Sequence, residues 1–181
     1  MARTYFDCRF GQLHVHLAIP AGGGFDEATA LLCLPGARGD GRFFQSLLAP
    51  LGADRSIYAP DLPGHGASDA PAAGGPAAQH NALALAELLD PQRQRRVDVL
   101  AHGTGAETAL ALAELRPGAL LRRVVFSVAA APALQQARAL GLNFRELPLG
   151  GADDEAVTSA MAGRQLPELI AFLGSAAAAQ P

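Results

Sequence analysis

The stretch Val97–Ala113, VDVLAHGTGAETALALA, holds three pieces in direct succession. A short run from Arg96 to Ala101 (RVDVLA) has the length and β-branched content of a strand. His102-Gly-Thr-Gly-Ala106 then supplies glycines for a tight turn, and Glu107–Leu115 continues with apolar residues at helical spacing. Working outward, the same alternation repeats. Leu121–Ala129 reads as the next strand. Upstream, Ala77–Leu89 reads as a helix, Ser56–Ala59 as a strand, Arg42–Leu51 as a helix, and Thr29–Leu34 as a continuous apolar strand that stops at Pro35-Gly36. Two alternating runs, Thr4–Phe10 and Leu13–Ile19, precede these with Gly11-Gln12 between them, the pattern of an antiparallel hairpin. The last third continues with a helix over Ala133–Leu140, a strand over Asn143–Leu147, a loop at Gly150-Gly151 and a helix over Leu166–Leu173. Strands alternating with helices imply parallel pairing with helices on both faces. The expected fold class is therefore α/β, a doubly wound, mostly parallel sheet whose ligands belong at the carboxyl ends of the strands. One domain over 1–174 and a disordered tail over 175–181 are expected.

Composition narrows the function classes. Of 181 residues, 50% are hydrophobic and 17% charged, which excludes a disordered chain. The net charge is −3 with the arginines and histidines scattered, so neither nucleic acid nor an anionic membrane surface is an expected partner. The run Val124–Leu134 is too short to span a bilayer and is broken by Pro132. Arg3, Asp7 and Arg9 interrupt any signal-peptide pattern, and a cytoplasmic location is expected. Cys8 and Cys33 lie in separate strand-like runs and read as core residues.

Three motifs resemble the α/β-hydrolase superfamily, together covering about Thr4–Ala129 with a weaker match to Leu173. Leu31–Gly36 (LLCLPG) is similar to the strand that leads into the family's oxyanion loop. Ala59–Ser68 (APDLPGHGAS) places Asp61, Gly64, Gly66 and Ser68 as in the family's D-x-x-G-x-G-x-S loop. Val97–Ala113 has the register of its strand, nucleophile elbow and helix. The resemblance implies a hydrolase fold that is shortened, with the cap segment and one late strand missing, since only Ala130-Ala131-Pro132 stands where a cap begins.

The resemblance also locates the site. The family's elbow, G-x-S-x-G, holds a serine on a strained turn. Aligning Gly105 with its last glycine puts Gly103 at the nucleophile, and glycine has no side chain with which to attack. The family's base is a histidine late in the chain, whereas the histidines here are His14, His16, His65, His80 and His102. Glu146–Asp154 resembles the loop that presents that base, with Ala152 near its place, and Asp153 and Asp154 come too late for the acid. Pro35 replaces the usual histidine before Gly36. Backbone donors at Ala37 and Thr104 would still serve as an oxyanion-type pocket, giving Gly36, Ala37, Gly103 and Thr104 as binding residues. Nucleophile and base act as a unit, and loss of either costs about 10⁶-fold in turnover, so ordinary serine chemistry is not expected.

Other groupings have plainer readings. His102 occupies a position where relatives carry histidine beside an intact serine. Asp61, His65 and Ser68 share one loop, whose residues fix turns through side-chain-to-backbone bonds. His14 and His16 stand two apart on a strand, as metal ligands do, but no acid or thiolate lies near them in sequence, which leaves an exposed polar face and no metal. Gly103-x-Gly105 lacks the further residues of a dinucleotide site, so no cofactor is expected. The function so implied is a non-hydrolytic module that binds a small apolar or acyl ligand or serves in assembly, as a homo-oligomer (a homodimer in the simplest case) or with a companion chain. The alternative is a hydrolase or lyase of a small ester or acyl compound using His102 and Thr104 as non-standard catalytic groups.

Overall fold

The computed structural model describes residues 2–21, 29–37, 39–53, 55–72, 74, 77–89, 96–115, 121–147 and 165–174. The expected loop at Gly150-Gly151, the positions Ala152, Asp153 and Asp154, and the tail over 175–181 lie outside them.

The chain opens with a hairpin of β1 (Ala2–Cys8) and β2 (Gly11–Ala18). Cys8 pairs with Gly11, so the turn is Arg9-Phe10 and not Gly11-Gln12. Gly11 instead begins β2 with φ +108°, and a Cβ there would lie 2.3 Å from Asp69 Oδ2. Only glycine supplies that backbone without collision. Next come β3 (Leu31–Leu34), a 3₁₀ turn (Gly41–Phe44), α1 (Gln45–Leu51) and β4 (Ile57–Pro60). The single helix expected over Arg42–Leu51 thus divides. Asp40 caps the 3₁₀ turn by accepting the Arg42 amide at 2.8 Å.

Then follow α2 (Ala77–Leu89), β5 (Val97–His102), α3 (Gly105–Leu115) and β6 (Leu121–Ser127). The last elements are α4 (Ala131–Ala139), β7 (Phe144–Glu146) and α5 (Leu166–Gly174). Strand β6 stops two residues before the expected Ala129, because Val128 turns the chain with φ +57°, an uncommon conformation for a β-branched residue. Pro132 then sits in the first turn of α4, where its missing N–H leaves no bond unmade.

The sheet runs β1-β2-β4-β3-β5-β6-β7, antiparallel from β1 to β4 and parallel thereafter. Its strands bury alternate residues on two faces. Leu32, Leu34, Val99, Ala101 and Phe126 pack beneath α2, α3 and α4, while Leu31, Cys33, Leu100 and Val125 pack beneath α1 and α5. This is the doubly wound arrangement that the alternation of strands and helices implied. Between β6 and β7 the chain has α4 and no larger cap.

One buried charge organises the amino end of the parallel strands. Asp98, fully buried in β5, accepts the Arg122 Nε at 2.9 Å and lies 3.5 Å from Arg55 Nη1. Arg55 and Arg122 also donate to the Leu173 carbonyl at 3.3 and 3.4 Å, and Arg123 donates to the Phe172 carbonyl at 2.6 Å. The end of α5 is thereby pinned by three guanidinium groups, which is where cations suit a helix dipole.

Candidate functional site

The carboxyl ends of β3, β5 and β6 converge on two glycines. Gly103, between β5 and α3, has φ +52°, and its amide donates to the Ser127 carbonyl at 2.8 Å. The Ala106 amide returns to the Gly103 carbonyl at 3.1 Å and starts α3. Two residues on, a Cβ at Gly105 would stand 2.4 Å from the Leu34 carbonyl oxygen and 2.8 Å from that of Pro35. Side chains are therefore barred at Gly105, where helix and strand backbones touch. At Gly103 the nearest atom to an added Cβ is the Gly36 Cα at 3.8 Å, so the tip of the turn faces open space. These two constraints fix the register of the turn, with the left-handed residue at Gly103 and the packing glycine at Gly105. The sequence-derived pocket residues come together here: Gly36 and Gly103 face one another, with the exposed Ala37 and Thr104 beside them.

His102 lies at the same place but is enclosed. Its ring stacks on Phe43 at a centroid distance of 4.6 Å, and its Nδ1 shares a 3.0 Å hydrogen bond with Ser127 Oγ. Ser127 is fully buried. Neither partner was visible as such in the sequence. Ser127 falls opposite His102 only through the β5–β6 register, and Phe43 arrives from the 3₁₀ turn.

The loop after β4 is not a triad. Asp61 Oδ1 accepts the Gly41 amide at 2.8 Å, and Oδ2 accepts the Ala67 amide at 2.9 Å. Ser68 Oγ donates to the Asp61 carbonyl at 2.7 Å, and His65 Nδ1 lies 3.2 Å from the Pro63 carbonyl. Asp61, His65 and Ser68 thus serve the turn, as the plainer reading held. The reading of His14 and His16 as an exposed polar face is corrected: both are buried, at 6% and 5% exposure, and Asp61 stands beside them. The β2–β4 ladder pairs Val15 with Pro60, and its next step puts Asp61 opposite His14. His14 Nδ1 donates to Asp61 Oδ2 at 2.9 Å, and His16 Nε2 lies 3.3 Å from Asp61 Oδ1. Burial lowers the His16 pKa, with the Asp61 charge opposing it. Burial likewise pushes the Cys33 thiol far above its ordinary range, as befits an inert core residue.

A doubly wound sheet in this strand order, with a left-handed residue at the tip of the turn between β5 and α3, defines a protein with the α/β-hydrolase architecture. The sequence matches the alpha/beta hydrolase family over residues 31–180, and the chain belongs to that family. Among curated proteins none matches the sequence. Solved structures share the fold. A serine-to-glycine mutant of the N-acyl homoserine lactonase AidH, complexed with N-hexanoyl homoserine lactone, superposes with a TM-score of 0.59 at 20% identity, covering 71% of this chain and 45% of the lactonase. An esterase from Exiguobacterium antarcticum gives 0.59 at 20% identity, over 72% of this chain and 47% of the esterase. The epoxide hydrolase CorEH gives 0.62 at 17% identity, over 95% of this chain and 59% of the enzyme. The chain thus spans less than half the length of the lactonase and the esterase. Among the described residues, no helix is long and apolar enough to cross a membrane.

Proposed function

We propose that the protein is a non-hydrolytic member of its family that holds a small apolar or acyl ligand over the Gly36–Gly103 contact. The observation that carries this reading is glycine at the left-handed tip of the β5–α3 turn, because the family's chemistry requires a nucleophilic side chain at that position. No histidine follows His102 in these 181 residues, so within them the family's late base has no counterpart. Backbone amides around Ala37 and Thr104 need no particular side chain to meet a ligand carbonyl. The lactonase mutant with glycine in place of a serine holds an N-acyl homoserine lactone, which supports an acyl compound as the ligand class. Among the described residues the sheet ends in β1 on one side and the three-residue β7 on the other, and self-association or a companion chain across one of these edges accords with an assembly role.

The second reading, a hydrolase or lyase acting through His102 or Thr104, draws on the 3.0 Å contact of His102 Nδ1 with Ser127 Oγ and on the exposed Thr104 hydroxyl. Burial of Ser127 and stacking of His102 on Phe43 weigh against it. Intact-mass analysis after a fluorophosphonate probe, with nitrophenol release followed over a panel of p-nitrophenyl esters, separates the two. The expected result is no adduct, no release above buffer, and saturable calorimetric binding of N-hexanoyl homoserine lactone that is recovered intact. A stoichiometric adduct on His102 or Thr104 with turnover would establish the second reading instead.

A further inference from the structure

Away from the Gly36–Gly103 contact, the loop after β4 and the second strand enclose a group that the fold alone does not require. The side chains of His14, His16 and Asp61 each offer one ligand atom, all within 4.8 Å of one another, and all three are more than nine-tenths buried. His16 Nε2 is buried without a hydrogen-bond partner among the described residues, although it points toward Asp61 at 3.3 Å. An imidazole nitrogen left in this state is costly unless something else satisfies it. We propose that His14, His16 and Asp61 form a binding site for one divalent transition cation of the zinc type.

The geometry suits such an ion. Ligand atoms bound at about 2.1 Å with tetrahedral to octahedral angles stand about 3.0 to 3.4 Å apart. The two His-to-Asp separations, 2.9 Å to Oδ2 and 3.3 Å to Oδ1, lie near that spacing, and rotations of the carboxylate and the rings would bring one donor atom of each residue, now within 4.8 Å of the others, to it. The donors are also free in the right sense. A carboxylate has roughly four lone-pair sites. Two on Asp61 are taken by the Gly41 and Ala67 amides, which would remain as the outer hydrogen bonds that orient a metal-bound carboxylate. The other two face the imidazoles. Binding would require the neutral His14 ring to change tautomer, its proton passing from Nδ1 to Nε2, which leaves His14 to coordinate through Nδ1 and His16 through Nε2. Two imidazoles and one carboxylate are the donor set that zinc and related first-row ions take.

Loading would have a mechanical effect as well. Asp61 holds the amide of Gly41, the first residue of the 3₁₀ turn, and that turn carries Phe43 onto His102 beside the elbow. A cation would therefore tie together β2, the loop after β4 and one wall of the glycine pocket.

The full chain, treated with chelator and dialysed, is titrated with Zn²⁺ and separately with Co²⁺. The expected result is one equivalent bound, visible cobalt absorption, and a rise in the thermal midpoint. Affinity should fall at least tenfold in His16→Gln and in His14→Ala, and stay unchanged in His80→Gln, which lies outside the cluster. Because either cluster variant could unfold, the unmodified chain is also followed by long-range ¹H–¹⁵N spectra of the histidine rings. Zinc should shift His14 Nδ1 and His16 Nε2. Binding below one equivalent, equal binding by folded cluster variants, or unmoved ring nitrogens would overturn the proposal.

Discussion

Replacing Gly103 and Gly105 separately by alanine tests the register of the β5–α3 turn, and with it the proposal that Gly103 stands at the family's nucleophile position. Helix propensity alone makes Gly105→Ala mild, since Gly105 opens α3 and alanine is favoured over glycine by about 1 kcal/mol in a helix. The structure reverses that ranking. An added methyl group would lie 2.4 Å from the Leu34 carbonyl oxygen, 2.8 Å from that of Pro35 and 3.0 Å from the Leu34 carbonyl carbon. All three are backbone atoms at the end of a central strand, so helix and sheet must separate, and overpacking of this kind costs about 1 to 3 kcal/mol or more. At Gly103 the methyl group meets nothing closer than 3.8 Å, and the cost is the left-handed backbone alone. That is about 1 to 2 kcal/mol, less roughly 0.4 to 1 kcal/mol from the stiffer unfolded chain. Gly103→Ala should therefore lose about 1 kcal/mol and Gly105→Ala about 3 kcal/mol. In a chain of this size these correspond to midpoint shifts of roughly 3 °C and 10 °C. The chain has no tryptophan, so urea and thermal unfolding are best followed by circular dichroism at 222 nm. Equal costs for the two variants, or a larger cost at Gly103, would show that the turn is differently registered and that Gly103 is not at its tip.

Two other perturbations address the frame around the site. Asp98→Ala leaves the buried Arg55 and the largely buried Arg122 without their carboxylate, a loss expected to cost about 3 to 5 kcal/mol in urea unfolding and to speed amide exchange in α5. A change under about 1 kcal/mol would mean that the carbonyls of α5 suffice for these arginines. Burial disfavours ionisation of Asp40, but the hydrogen bonds and charge of Arg42 outweigh it and hold the carboxyl down to about 2. A lowered folded pKa stabilises above the unfolded value near 4 and is lost as pH falls through about 2, so wild type and Asp40→Asn should differ at pH 7 and converge on acidification. The pair is partly solvated, and the difference at pH 7 should stay within about 1 kcal/mol.

Much of the architecture was legible because period and punctuation are local. Ala77–Leu89 forms one helix over those same residues, and Pro35-Gly36 ends β3 where a proline and a glycine must stop a buried strand. Gly103 and Gly105 can be ordered from the motif alone, since one position tolerates a left-handed backbone and the other a close approach. Boundaries moved where a local cap or a single backbone dihedral intervened. Asp40 capped a 3₁₀ turn ahead of α1, and Val128 ended β6 early.

What stayed hidden depended on which strands lie side by side. Asp98 in VDVLA interrupts an apolar run, yet nothing nearby in sequence says that Arg55 and Arg122 enclose it. His14 and His16 are two residues apart on one strand, but Asp61 is more than forty positions away, and β3 intervenes in the chain though not in the sheet. The sequence by itself determined the α/β alternation and the glycine-bearing turn after β5, because each is written in neighbouring residues. Only the tertiary structure decided that β4 inserts between β2 and β3, which brought a carboxylate to two histidines, and that β6 pairs with β5 in the register that brings a serine to His102. Pairing across a sheet is set by the burial of whole faces, which no local stretch encodes.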